Sequence, residues 1–182
     1  MWEKTHKFER KFTEFQGCYD SVMVNSGSSA DLLICYQLLS QPNPLLNEGD
    51  EILIPIVTWP TQIWAAKMAG LKVKFVDVDP ITLNIDLQDL KNKISDKTRA
   101  LFIVHLMGNP CNMDTIKQII QDHDLILIED CCEALGSKWD NINVGNFGIV
   151  SSFSFFFSHH MTTMEGGLIA CSRLDIAEQM KI

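Results

Sequence analysis

Between Glu51 and Glu129 the sequence alternates short apolar, β-branched runs with stretches of helical periodicity, and that alternation leaves few folds open. Strand-like runs at Glu51–Val57, Val73–Val78, Ala100–Leu106 and Leu125–Glu129 are separated by helical patterns at Thr61–Ala69, Leu87–Ile94 and Met113–Asp122. A helix between two strands carries the chain back to its starting edge, so the strands run parallel and the sheet is covered on both faces. Upstream, Phe8, Phe12 and Phe15 recur at helical spacing and line one face of an opening helix, and a second helix is expected from Ser28 to about Leu39. Downstream the rhythm changes. Ile149–Phe157 and Gly167–Cys171 read as strands without a long helix between them, which predicts sheet-edge or antiparallel additions. The expectation is an α/β fold: a mostly parallel sheet sandwiched by helices.

Composition decides which partners such a fold can serve. At 182 residues with 46% hydrophobic and 21% charged side chains, the chain has the content of one globular domain. A net charge of -8 argues against a general affinity for nucleic acid or anionic membrane, so small molecules or proteins are the expected partners. The opening MWEKTHKFERKF is too charged for a secretory leader, which gives a cytoplasmic expectation. The six cysteines form no CxxC pair and sit in apolar elements, so they are expected to be reduced core residues.

Ligands of parallel sheets collect beyond the carboxyl ends of the strands. Four loops there carry residues capable of chemistry. In NSGSSA, 25–30, Gly27 permits close backbone approach while Ser28 and Ser29 offer hydroxyls and free amides at a helix start, a seat for phosphate; an ordinary N-cap and turn accounts for the same residues. In PIVTWPTQ, 55–62, Trp59 either covers an aromatic ring or packs in the core. In LILIEDCCEALGS, 125–137, an apolar strand delivers Glu129, Asp130 and Glu133 to its carboxyl end, where charges must be exposed, paired or functional. A carboxylate about 4 Å from a protonated pyridine nitrogen gains roughly 4 kcal/mol before desolvation. An Asp capping the next turn is the alternative there.

A phosphate seat, a ring-covering Trp and an Asp suited to a pyridinium, in this order on a parallel sheet, fit a pyridoxal phosphate site. Such a site calls for a lysine at the end of a later strand. The stretch SFFFSHHMTTMEGG, 154–167, places His159 and His160 there instead, and no lysine lies between Lys138 and Lys181. His159 is expected to end the core strand facing the cofactor. His105, before LMGNP, either lines a substrate site or is a satisfied loop histidine.

The segments VNSGSSADLL, GDEILIP, VKFVDVDPITLNID, TRALFIVHLMGNP, LIEDCCEALGS, GNFG and FSFFFSHHMTTMEGG together resemble the sugar aminotransferase family (DegT/DnrJ/EryC1/StrS), fold type I of the pyridoxal phosphate enzymes. The histidine in the lysine position resembles the family's sugar 3-dehydratases. That resemblance implies pyridoxal or pyridoxamine 5'-phosphate as cofactor. Gly27, Ser28, Ser29 and Ser154 would hold its phosphate, Trp59 would cover the ring and Asp130 would meet the ring nitrogen. Glu133 would stand near the ring hydroxyl, and His159 would be the catalytic base, with no metal. His160 then has a positional role.

The implied reaction removes the C3 hydroxyl of a nucleotide-linked 4-keto-6-deoxyhexose, with an amino donor such as glutamate and a homodimeric full-length enzyme. An iron–sulfur 3-dehydrase of the family, with a cluster cysteine at the position of Cys132, another member of the sugar aminotransferase family, and a noncatalytic remnant are the competing readings. Family members are about twice as long. Residues 1–182 are therefore expected to be a partial cofactor-binding large domain, incomplete at both ends, whose C-terminal small domain is missing, with little activity alone.

Overall fold

The computed structural model describes residues 2–40 and 43–181; Met1, Gln41, Pro42 and Ile182, part of the domain expected over 1–182, lie outside the described residues. In chain order the elements are α1 (Trp2–Gln16), β1 (Asp20–Val24), α2 (Gly27–Leu38), β2 (Glu51–Pro55), α3 (Pro60–Met68), β3 (Lys72–Val76), α4 (Leu87–Lys93) and β4 (Thr98–Val104). They continue with α5 (Met113–His123), β5 (Ile126–Asp130), β6 (Lys138–Trp139), β7 (Ile142–Asn143), β8 (Val150–Ser154), β9 (Gly167–Cys171) and α6 (Leu174–Met180).

One sheet of order β1-β9-β8-β5-β4-β2-β3 organises them. β8, β5, β4, β2 and β3 run parallel, as the crossover helices require, whereas β9 pairs antiparallel with both β8 and β1. The predicted change of rhythm after residue 149 is this antiparallel insertion. Strand β1, the two-residue strands β6 and β7, and α6 carry too little periodic pattern to have been anticipated. Between β6 and β7 the chain reverses through Asp140 and Asn141, both at positive φ.

The two faces of the sheet bury separate cores. On one, Ala30, Ile34 and Leu38 of α2 and Ala65 and Ala66 of α3 pack over Ile52, Ile54, Phe102 and Ile128. On the other, α4 and α5 bring Leu90, Ile116 and Ile119 against Leu53, Leu101, Ile103 and Leu127. The opening helix completes the second face. Phe12 meets Phe153 edge-on at 5.0 Å and Phe8 meets Phe155 at 5.4 Å. Phe15, expected on that buried stripe, is 55% exposed: it touches Phe12 but lies near the rim. Cys35, Cys111, Cys131 and Cys171 are buried in these cores. Among the described residues no helix is long and apolar enough to cross a membrane.

Strand β8 stops at Ser154, not at the histidines. Beyond it Phe155 is gripped from three sides: its amide donates to Gly166 O, and its carbonyl accepts from Thr163 N at 3.0 Å and Thr162 Oγ1 at 3.2 Å. These bonds fold the aromatic run into a reversal. His159 therefore sits in the turn that follows the core strand, its amide donating to Phe156 O at 3.0 Å.

Candidate active site

The carboxyl ends of β5 and β8 and the N-terminus of α2 meet at one place. Gly27 opens α2 and is buried; a Cβ on it would lie 2.8 Å from Ser154 Cβ and 3.0 Å from Cys132 Sγ. That distance forbids any side chain at 27 without movement of β8. It also puts the helix start directly beside Ser154. The N-cap is Ser26, whose Oγ accepts from Ser29 N at 3.1 Å. Neither Ser28 nor Ser29 is thus the cap itself; Ser28 is half-buried in the first turn of α2. The N–H groups at the start of a three-turn helix, with Ser28 in its first turn and Ser154 beside Gly27, are a geometry able to seat an anion.

Trp59 stands just beyond β2 with Pro60 as the first residue of α3. It is 68% exposed, which excludes the core alternative and leaves its ring face free. One turn into α3, Gln62 is fully buried. Thr58 donates to its Oε1, so the amide is oriented with Nε2 donating to Asp130 Oδ2 at 2.7 Å.

Strand alternation separates the neighbouring carboxylates of β5. Asp130 turns toward α3, where Oδ1 also accepts from Cys132 N at 2.8 Å. The turn-capping role is therefore real and coexists with the polar site. Burial pushes its carboxyl up, against the Cys132 amide, which lowers it. Glu129 turns the other way and is fully buried. Its Oε1 accepts from Phe147 N and Gly148 N at 2.8 and 2.6 Å, and its Oε2 from Gly145 N at 2.8 Å. His105 Nε2 lies 3.0 Å from the same Oε2, while His105 Nδ1 accepts from Cys111 N at 3.1 Å. The Cys111 amide claims the Nδ1 lone pair, so the ring proton is on Nε2 and points at Glu129. His105 is a satisfied core histidine and lines no substrate site.

His105, Glu129 and Cys131 converge closely enough to hold an ion. The lone pairs of His105 Nδ1 and of both Glu129 oxygens are nevertheless committed to amide donors, which makes the His105–Glu129 pair a structural network. It ties the GNFG loop to the strand that carries Asp130.

Glu133 reaches from the turn after β5, its Oε2 accepting from Met107 N at 2.9 Å. With Met107, Ser158, His159 and His160 it lines an open cleft. His159 is half-buried and His160 exposed. The expected residues thus form two linked groups. Gly27, Ser28 and Ser154 make the anion seat, Glu133 and His159 share the cleft, and Asp130 and Glu133 are close enough to interact electrostatically. Sequence reasoning missed Gln62 and Asp31. The first follows Trp59 by one helical turn, a usable signal; the second reads as an ordinary acid near a helix start.

These groups suit pyridoxal phosphate on the structure's own terms. The seat supplies amides and hydroxyls to a phosphate, the buried Asp130 has acceptor oxygens and no cation paired with it among the described residues, and Trp59 offers a free face.

Comparison with known proteins agrees. The profile of the DegT/DnrJ/EryC1/StrS aminotransferase family matches residues 1–182. GDP-4-keto-6-deoxy-D-mannose 3-dehydratase of Escherichia coli is 46% identical over 169 residues, 93% of this chain and 44% of that protein. The dTDP-4-dehydro-2,6-dideoxy-D-glucose 3-dehydratase of Saccharopolyspora spinosa is 38% identical, over 94% of this chain and 37% of its own length. Among solved structures, the E. coli GDP-4-keto-6-deoxy-D-mannose 3-dehydratase with bound hydrated PLP superposes with a TM-score of 0.92 at 44% identity, covering 94% of this chain and 44% of that one. The chain therefore spans less than half the length of the relatives it matches.

Proposed function

The chain belongs to the DegT/DnrJ/EryC1/StrS aminotransferase family, and we propose that it forms the cofactor-binding part of a pyridoxamine phosphate-dependent 3-dehydratase acting on a nucleotide-linked 4-keto-6-deoxyhexose. The observation that carries this reading is His159, which occupies the cleft beside Glu133 where a lysine would otherwise tether the cofactor. GDP is the nucleotide named by two of the most similar relatives, and a third, 38% identical, is a lipopolysaccharide biosynthesis protein of Salmonella typhimurium, which supports deoxysugar formation for lipopolysaccharide as the setting.

Gly27, Ser28, Ser29 and Ser154 hold the phosphate at the start of α2. Trp59 would cover one face of the ring, Asp130 would keep a negative charge at the ring nitrogen, and Glu133 would stand by the ring hydroxyl. When bound, the pyridoxamine form would supply an amine for the sugar's keto carbon and a ring able to hold the electron pair left by proton removal until the C3 hydroxyl departs with it as water. His159 would be the base, its imidazole taking up that proton. An imidazole can exchange protons near neutral pH and cannot make the covalent link that a lysine amine makes. The substitution therefore trades tethering for proton transfer.

Glutamate is the amino donor in this reading, and a second copy completes the full-length enzyme. The apolar side chains left exposed around α3, with Trp64 and Met68 each 63% exposed, support such an assembly. Packing disfavours the cluster-bearing alternative: the Cys132 sulfur abuts Gly27, and its thiol is pushed well up by burial and by Asp130 and Asp31.

The full-length protein, given pyridoxamine phosphate, glutamate and GDP-4-keto-6-deoxymannose, should release the 3-deoxy sugar. His159→Ala should slow that step about 10²–10⁴-fold. Full activity in the variant would remove His159 as the base. An amino sugar as the only product would replace dehydration by transamination.

A further inference from the structure

Asp130 has a buried acidic neighbour that the cofactor motifs do not account for. Asp31, early in α2, is 2% exposed and lies among Thr61, Ser152 and Asp130. The surroundings treat the two carboxyls differently. Asp130 accepts on both oxygens, from Cys132 N at 2.8 Å and Gln62 Nε2 at 2.7 Å. Among the described residues Asp31 is served only by hydroxyls: its Oδ2 is 3.5 Å from Thr61 Oγ1, at the limit of a hydrogen bond, Ser152 lies beside it, and its Oδ1 has no partner at hydrogen-bond distance. The neighbouring Ser152 hydroxyl is buried and unpartnered as well. Among the described residues, no ion pair involves either aspartate.

An ionised Asp31 would put a second buried negative charge beside Asp130, with only the hydroxyls of Thr61 and Ser152 to donate to it. A protonated Asp31 removes that second charge and still pairs with Ser152, its own proton going to the hydroxyl oxygen. Burial first, and then the Asp130 charge, push the Asp31 carboxyl well up. The other titratable groups facing it are the thiols of Cys35 and Cys132, both also pushed up by burial and therefore neutral. Neighbouring carboxyls whose surroundings differ in this way take different charges.

We propose that Asp31 is held as the neutral acid and is a positioning residue of the cofactor site, donating its proton toward Ser152 and Asp130 so that Asp130 carries the pair's single negative charge for the ring nitrogen. The purpose of this arrangement rests on the cofactor reading above; the proton on Asp31 does not.

Infrared spectroscopy of the full-length protein at pH 7 without cofactor should show the carbonyl stretch of a buried carboxylic acid, and Asp31→Asn should remove it. Absence of the band, or its persistence in the variant, would overturn the assignment. Titration with pyridoxal 5'-phosphate then reads the positioning role. Asp31→Leu, neutral but unable to donate, should weaken binding about tenfold, as expected for a lost hydrogen bond within a charged network. Asp31→Asn, neutral and able to donate, should recover most of that loss. An Asn variant as weak as the Leu variant would refute the donor role. A wild-type protein that binds no pyridoxal phosphate would refute the cofactor reading, and the infrared band would still confirm or overturn the proton on Asp31.

Discussion

Replacing Glu129 by Gln changes one oxygen into an NH2 group and should destabilise the domain far more than its size suggests. In the native network all four groups that face Glu129 donate to it: the amides of Gly145, Phe147 and Gly148, and His105 Nε2. A glutamine can keep its oxygen on Phe147 and Gly148, but its NH2 then faces Gly145 N–H and His105. Moving the His105 proton to Nδ1 would turn Nε2 into an acceptor. The proton would then oppose the Cys111 amide, which donates to Nδ1 at 3.1 Å. At least two buried donors stay unpaired whichever tautomer is chosen. At roughly 1–3 kcal/mol for each unsatisfied group, the loss is about 2–6 kcal/mol. That is a large share of the 5–15 kcal/mol typical of whole domains. Urea denaturation of the full-length protein and the variant should show a lower midpoint with little change in slope. A loss below about 1 kcal/mol would refute the closed network on which the argument depends.

Other perturbations separate stability from binding. Gly27→Ala places a methyl 2.8 Å from Ser154 Cβ, so it should cost about 1–3 kcal/mol by overpacking and weaken phosphate binding; unchanged urea midpoints would contradict the close packing. Trp59→Ala should leave stability within about 0.5 kcal/mol, because the side chain is 68% exposed. Its pyridoxal phosphate affinity should fall by roughly 0.5–1.5 kcal/mol, and equal affinity by fluorescence titration would show that the ring is not covered there. The raised carboxyl of Asp31 keeps a proton in the folded state that the unfolded chain loses above about pH 4. Its contribution to stability is thus full below that pH and declines as pH rises through the folded value, by up to about 1.4 kcal/mol per unit. Asp31→Asn should flatten this slope in denaturation curves of the cofactor-free protein; parallel pH profiles would contradict it.

The sheet was legible because buried parallel strands must be apolar along their whole length, as Leu101–Ile103 and Leu127–Ile128 are. Asp130 was legible for the same reason: a charge ending such a strand stands out. Its orientation was not. Which of Glu129 and Asp130 faces the helix α3 depends on the phase of the strand, and the donors that bury Glu129 come from residues 145–148, distant in sequence. The end of β8 was misplaced because Phe155–Phe157 look like more strand, whereas the Thr162 and Thr163 bonds to Phe155 O end it. Trp59 could not be assigned to core or surface from its neighbours alone, and the structure places it outside. Asp31 went unnoticed because an acid near a helix start is common, and only burial and an unmet oxygen distinguish it.

The account turns on a cofactor held beside His159 without a covalent bond. The full-length protein should be loaded with pyridoxal 5'-phosphate, treated with borohydride and weighed intact, alongside His159→Lys. The account predicts noncovalent binding and no reduced adduct in the wild type, with one adduct at residue 159 in the variant. A stoichiometric adduct on a lysine of the wild-type protein would contradict it.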